Sequence, residues 1–273
     1  MDPTKLTYDL CRDIWWRCHW PWEPPGTLSF LALRGATIAP GGKIVRNFDE
    51  PNLWNDTIVA LDPNLGIRAH WTATAGQPGD YWTKRYEPGN GAPHTRPCCV
   101  RLQRGSHFEK QAMRLWGDDR WPVIRDLDKD RYAEIDELFN YATDLGNGIN
   151  LHAGGNTQTV EKFSSGCHVL RGGWNSADWK ELHGLVYSSY AEQKLFRYGL
   201  VQVDWLGGVT QRLLFGSVGE TVTPLHDLLG ITGEVRTWRK FGVATDRAYR
   251  ARQKAAGERP DGICVNPPWL VAA

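Results

Sequence analysis

Apolar positions change their period along the chain, and each change marks an element. Leu6, Leu10 and Ile14, with Cys11, Trp15 and Cys18 beside them, recur at helical spacing until Pro21, Pro24, Pro25 and Gly26 stop them. That predicts a short amphipathic helix in a Trp-rich N-terminal segment, residues 1–26. From Thr27 the pattern becomes short β-rich runs at 28–33, 56–61, 67–75 and 98–102, separated by turn residues. The stretch 112–140 is charged and less regular, and Gly148 to His152 reads as a strand again. Ser176 to Tyr190 carries Trp179, Leu182, Leu185 and Val186 on one helical face. Leu200 to Leu206 reads as a closing strand, so residues 27–206 are predicted to form one β-dominated domain. Gly207-Gly208 is the natural hinge to residues 211–273. There Val222, Leu225 and Leu228/Leu229 make an apolar helix face, and Thr245 is placed to begin or cap the next helix. The expected class is multidomain α+β.

Composition adds bounds. At 273 residues, with 41% hydrophobic and 23% charged positions, the chain can bury a sizeable core and is not a disordered polymer. A net charge of +1 excludes a strongly basic nucleic-acid binder. The charge is unevenly shared: residues 211–273 hold nine basic and six acidic side chains, leaving the remainder at −2. Such a tail favours a polyanionic surface, weakly and subject to screening. Fourteen tryptophans suggest packed aromatic cores; those at 15, 16, 20 and 22 fit a core face better than a sugar-stacking platform. No apolar run reaches the length of a membrane span, and charges interrupt the first 22 residues, so no secretory signal is expected. The six cysteines form neither a disulfide framework nor paired zinc knuckles, and Cys11 and Cys18 on one helix would lie too far apart to bond. HExxH is absent as well, which disfavours a zinc peptidase.

Candidate chemistry lies in Gly148-Ile-Asn-Leu-His152-Ala-Gly-Gly and Phe163-Ser-Ser-Gly-Cys167-His-Val-Leu. A thiol nucleophile needs a base nearby and backbone N–H groups facing the developing oxyanion, which an adjacent glycine permits. His152 at a strand end and Cys167 after a Ser-Ser-Gly turn supply these parts. The alternative is a buried structural cysteine beside a satisfied histidine. A second pattern places Asp126, Asp128, Asp130 and Glu137 at positions one, three, five and twelve of a loop, as in a calcium loop of the EF-hand type. Arg131 stands where that loop wants glycine, and an acidic solvated turn is the plainer alternative.

His152 followed by Ser164-Ser165-Gly166-Cys167 resembles the His…(Ser/Thr)-x-Gly-Cys signature of the L,D-transpeptidase catalytic domain. Thr57 to Leu61, Ile67 to Gly76 and the turn Gln77 to Thr83 are similar to that family's early strands. The resemblance implies a β-sandwich-like fold with short helices and attack by the cysteine on a diaminopimelate carbonyl in a peptidoglycan stem peptide, giving a thioester. It makes Cys167 the nucleophile, with a thiol pKa lowered by His152, and His152 the base. The Ala153 carbonyl would orient the imidazole, N–H groups around Gly166 and Cys167 would hold the oxyanion, and Ser164, Ser165, His168 and Arg171 would meet substrate. The family places Arg or Asn two residues after the cysteine; here that residue is Val169.

The tail, through Leu214-Phe-Gly-Ser-Val-Gly-Glu-Thr-Val222, Phe241 to Ala248 and Pro260-Asp-Gly262-Ile263, resembles the three-helix peptidoglycan-binding domain of wall hydrolases. It departs from that family at Arg252, where an apolar residue is usual. Together the resemblances imply a peptidoglycan-directed cysteine enzyme; because no secretory signal is expected, hydrolysis of the phage-lysin kind is favoured, by a protein made in the cytoplasm and acting at the bacterial wall, phage-encoded or virion-associated. Peptidoglycan would be its partner, with no nucleic acid, no membrane span and no required cofactor; a structural Ca2+ is an option that rests on the acidic loop alone. An L,D-transpeptidase forming 3→3 cross-links is the enzymatic alternative. A non-catalytic wall-binding or virion structural protein is the alternative of another class.

Overall fold

The computed structural model describes residues 2–86, 91–132, 137, 145–146 and 148–271. Its centre is set by β1 (Ser29–Arg34), a strand whose six residues are all buried. Inward, Phe30 and Ala32 share a core with Ile58, Trp71, Val100, Leu102, Tyr198 and Leu200. Outward, Leu31 and Leu33 share a second core with Leu10, Cys11, Ile14 and Trp15. Alternation of side chains across a strand lets one strand serve both cores. The first core fills a barrel; the second lies between the barrel wall and helix α1 (Tyr8–Arg17).

β1 pairs on one side with β4 (Asp56–Asp62) and on the other with β13 (Phe196–Gln202), so neither edge is free. From β13 the ladder continues through β7 (Cys98–His107), β8 (Lys110–Leu115), β11 (Leu151–Ala153), β12 (His168–Leu170) and β5 (Gly66–Ala75) back to β4. The sheet thus closes as an eight-stranded barrel, where a sandwich was expected. Closure satisfies the backbone groups that two open sheets would leave at their edges. Trp71, Trp121, Tyr198, Phe30 and Phe196 are bulky enough to fill the lumen. Two of the eight pairings are parallel, β1 with β13 and β11 with β12. A smaller sheet, β6 (Ala92–Thr95), β9 (Trp121–Asp126) and β10 (Leu145–Gly146), flanks the barrel. β8 and β9 fall in the stretch that looked irregular in sequence, and β13 begins and ends about four residues before the expected strand.

α1 starts where Thr7 accepts a hydrogen bond from the Leu10 N–H at 3.2 Å. Its tryptophans are mostly core: Trp15 and Trp20 are buried and meet edge-to-face at 5.4 Å, while Trp16 is exposed beneath Arg12. Ser176 caps α3 (Ala177–Gly184), which adds Trp179 and Leu182 to the barrel core. All six cysteines are free and buried. Among the described residues no helix is long and apolar enough to cross a membrane.

The tail is not a clear three-helix bundle. It has α4 (Thr223–Leu228), α5 (Gly233–Thr237), α6 (Val243–Ala255) and α7 (Pro268–Val271), of which only α6 exceeds two turns, plus a ribbon of β14 (Arg212–Leu213) and β15 (Cys264–Val265). Leu213, Val222, Leu225, Phe241 and Cys264 form its small core. Gly242 rather than Thr245 precedes α6; Thr245 is buried against His226, Oγ1 to Nε2 2.9 Å. Nor is the tail hinged freely. Phe215 enters the barrel core, the Cys99 N–H donates to the Phe215 carbonyl at 2.9 Å, and Ser217 Oγ donates to the Cys18 carbonyl at 2.6 Å. Arg96 grips the Asp246 carboxylate with two hydrogen bonds, 2.9 and 2.7 Å, in a buried contact. At Gly207 a side chain would collide with Pro3, its Cβ only 2.4 Å away.

Candidate active site

β11 and β12 run parallel with Leu151 opposite His168 and His152 opposite Val169. Leu151, Ala153 and Leu170 point into the barrel core, so the intervening His152 and Val169 face outward, as does Cys167 one step before β12. Residues fifteen apart in sequence thereby share one face. His152 Nδ1 lies 2.8 Å from the Ala153 carbonyl oxygen. A carbonyl only accepts, so Nδ1 carries the proton and Nε2 the lone pair. Nε2 is buried and has no partner among the described residues. Two rings lie nearly parallel to the imidazole, His107 at 4.3 Å and Trp174 at 6.1 Å between centroids, each at 13°. Burial pulls its pKa down to about 4, against the opposing pull of the Ala153 bond, and His107 pulls it further down. At neutral pH the imidazole is an uncharged base.

Cys167 is only 5% exposed. Its turn depends on Gly166, at φ +96°, where an added Cβ would approach the Pro93 carbonyl oxygen to 2.6 Å. Ser164 Oγ lies 2.6 Å from the Gln77 carbonyl and 2.9 Å from the Cys167 carbonyl, and accepts the Gly166 N–H at 3.2 Å. The Gly166 N–H expected to hold an oxyanion is therefore engaged, whereas the Cys167 N–H has no acceptor among the described residues. Burial pushes the thiol up to about 11, partly offset by backbone N–H groups of Asn150 and Ser165. The expected lowered pKa is thus reversed: thiol and imidazole are both neutral at rest. Both residues line a cavity of about 290 Å³ shared with Ser165, Tyr86, His107 and Trp82.

The remaining assignments divide. Ser165 lines that cavity, its Oγ 2.6 Å from the Tyr86 hydroxyl. Ser164 is fully buried inside its turn and is not among the residues lining the cavity. His168 alternates into the barrel, where Tyr198 OH lies 2.7 Å from Nδ1 and Trp121 stacks at 4.4 Å, so it too is removed from the cavity. Arg171 lines a separate open cavity of about 700 Å³ with Lys110 and Trp174. Sequence reasoning missed His107, Asn150 and Trp174. Asn150 Nδ2 donates to His107 Nδ1 at 3.0 Å, which holds the ring against His152. His107 ends a strand that no spacing ties to His152, and nothing in the local pattern flags Trp174.

In the acidic loop Asp126, Asp128 and Asp130 bring one oxygen each within 4.8 Å of one another. Those carboxylates receive N–H groups of their own loop: Asp126 from Lys129 at 2.7 Å and Arg131 at 3.1 Å, Asp128 from Asp130 at 3.1 Å, Asp130 from Tyr132 at 2.8 Å. Glu137 accepts from the Leu127 N–H, and Arg131 takes φ +87°, the backbone an EF-hand reserves for glycine. These bonds account for the turn without an ion, and the carboxylate cluster by itself assigns none.

Compared with known proteins, the chain matches no family model, no curated protein and no solved structure.

Proposed function

We propose that the protein is a cysteine acyl-transfer enzyme that hydrolyses stem or cross-bridge peptides of peptidoglycan. One observation carries the reading: His152, its proton fixed on Nδ1 and its Nε2 unpartnered, lines the same cavity as Cys167, whose thiol is 3.9 Å from the Gly148 carbonyl. The substrate class comes from the motif resemblance. In the reaction, Sγ of Cys167 attacks the peptide carbonyl while His152 Nε2 takes the thiol proton, and the Cys167 N–H faces the oxyanion. Because both groups are neutral at rest, the proton leaves sulfur as the C–S bond forms. The imidazolium then gives that proton to the departing amine, leaving a thioester. Water completes hydrolysis; an incoming amine would instead complete a cross-link. Action at the bacterial wall, by a phage-encoded or virion-borne protein, belongs to the same proposal.

The high thiol pKa and near-complete burial of Cys167 favour a second reading, a wall-binding protein without catalysis. Mass spectrometry of diaminopimelate-type sacculi treated with the protein or with Cys167→Ala separates the two. Shortened stem peptides or severed cross-links, absent with the variant, are the expected result. New 3→3 cross-links would assign the transpeptidase. Sacculi bound but unchanged would overturn catalysis and leave the wall-binding protein.

A further inference from the structure

Behind the nucleophile turn lies another cavity, of about 440 Å³, that the catalytic reading does not use. Arg34, Asp49, Gln77, His94, Thr95 and Arg259 are among its walls. Four of these, Arg34, Gln77, His94 and Thr95, are more than nine-tenths buried. Each also keeps a polar atom without a protein partner among the described residues: Arg34 Nε, Gln77 Oε1, His94 Nε2 and Thr95 Oγ1. Unpaired polar atoms in a buried site are costly, which favours an occupant that hydrogen-bonds.

The walls also restrict the charge of the occupant. Arg34 is held at the end of β1 by the Thr95 and Ala75 carbonyls, which fix its guanidinium but leave Nε–H to spare. Arg259 is exposed at the rim. Facing them, Asp49 takes a left-handed backbone, φ +54°, and receives Gln77 Nε2 at 3.0 Å. Of the other charged walls, Arg96 holds Asp246, Arg131 meets Asp80 and Asp261 accepts from Gln253 and the Ile263 N–H. A simple anion would therefore meet Asp49, whose carboxyl burial pushes up to about 7 and an ammonium would pull back down, and a simple cation would meet Arg34 and Arg259. A ligand bearing both charges satisfies both walls.

We propose that this cavity binds a small zwitterion of the amino-acid class, its carboxylate on Arg34 and Arg259 and its ammonium on Asp49 and Gln77 Oε1. The site is wired to the nucleophile turn. The Gln77 carbonyl accepts from Ser164 Oγ at 2.6 Å, and Ser164 in turn holds the Cys167 carbonyl and the Gly166 N–H. A second clasp joins the Asp49 strap to the chain before that turn. Asn52 exchanges hydrogen bonds with Glu161, 2.9 and 2.6 Å, and its carbonyl accepts the Val160 N–H. A ligand that tightens Gln77 and Asp49 therefore changes access to Cys167. The inference does not rest on catalysis, since thiol labelling reads access alone.

Glutamate serves as the probe, with succinate lacking the ammonium and butylamine lacking the carboxylate, each titrated calorimetrically into the full-length protein. Glutamate is expected to bind while neither control does, and saturating glutamate is expected to change the Cys167 iodoacetamide rate at least about twofold. Asp49→Asn, an isosteric change, and Arg259→Gln, at an exposed position, should each weaken binding by about tenfold, the worth of one charge-assisted hydrogen bond. Thermal melts confirm that both variants fold. No heat with glutamate would mean the cavity holds only ordered water and overturns the proposal. Binding that survives both substitutions, or that succinate reproduces, overturns it as well. Binding with an unchanged labelling rate overturns the link to Cys167.

Discussion

At the scale of single residues, the site is an arrangement of neutral groups. His152 is a base because burial keeps it unprotonated and the Ala153 carbonyl settles its tautomer. Cys167 is a protonated thiol because burial raises it to about 11. Thiolate, the form that alkylates, grows tenfold per pH unit below the pKa, so Cys167 labelling by iodoacetamide should be slower than that of free cysteine at pH 8 and still climbing at pH 10. A plateau already reached near pH 7 would instead indicate a thiolate–imidazolium pair. In parallel, the His152 ring signals should titrate in NMR near pH 4 rather than 6.5. His168 illustrates the limit of motif reading. It adjoins Cys167 in the chain, yet strand alternation sends its ring into the barrel beside Tyr198.

Elements place these residues. The parallel pair β11 and β12 converts a separation of fifteen residues into adjacency, and the turn before β12 sets the height of Cys167. That turn tolerates only glycine at position 166, from its φ of +96° and the Pro93 carbonyl beneath. Gly166→Ala is expected to destabilise the protein by about 1–3 kcal/mol in urea unfolding and to abolish any Cys167-dependent turnover. An unchanged midpoint would show that the turn has room to relax. Helix signals were legible in the apolar stripes of Leu10 and Ile14 and of Trp179 and Leu182, and the structure adds Thr7 and Ser176 as their caps. β8 was hidden because Lys110 and Arg114 occupy its outward positions, and β9 because Pro122 and the buried Asp126 break a strand pattern; the pairing with β7, β6 and β10 reveals them as strands.

For the whole molecule, barrel and tail are joined by buried contacts rather than by a tether. The Arg96–Asp246 pair lies between them, with Arg250 3.6 Å from the same carboxylate. Removing Arg96 takes two hydrogen bonds from a buried carboxylate that then keeps Arg250 as its counter-charge, so Arg96→Met should cost about 1–3 kcal/mol of unfolding free energy in urea. A loss below about 0.5 kcal/mol would mean that the tail is held by Phe215 and the backbone bonds instead.

What the sequence alone determined was local: the amphipathic stripe of α1, the short β-rich runs, the helix of Trp179 and Leu182, and the His152 and Gly166-Cys167 pieces of the candidate site. Each is set by neighbours within a few residues, through period, capping and turn chemistry. Tertiary structure decided the rest. Closure into a barrel depends on β1 finding β13, about 170 residues away, and no local period encodes that partner. The same long-range pairing chose which side chains face out, and so separated Cys167 and His152 from His168 and brought His107 and Trp174 against the imidazole. It also set the pKa values. Motif chemistry suggested a lowered thiol, but a pKa answers to solvent and charge in three dimensions, and burial raised it.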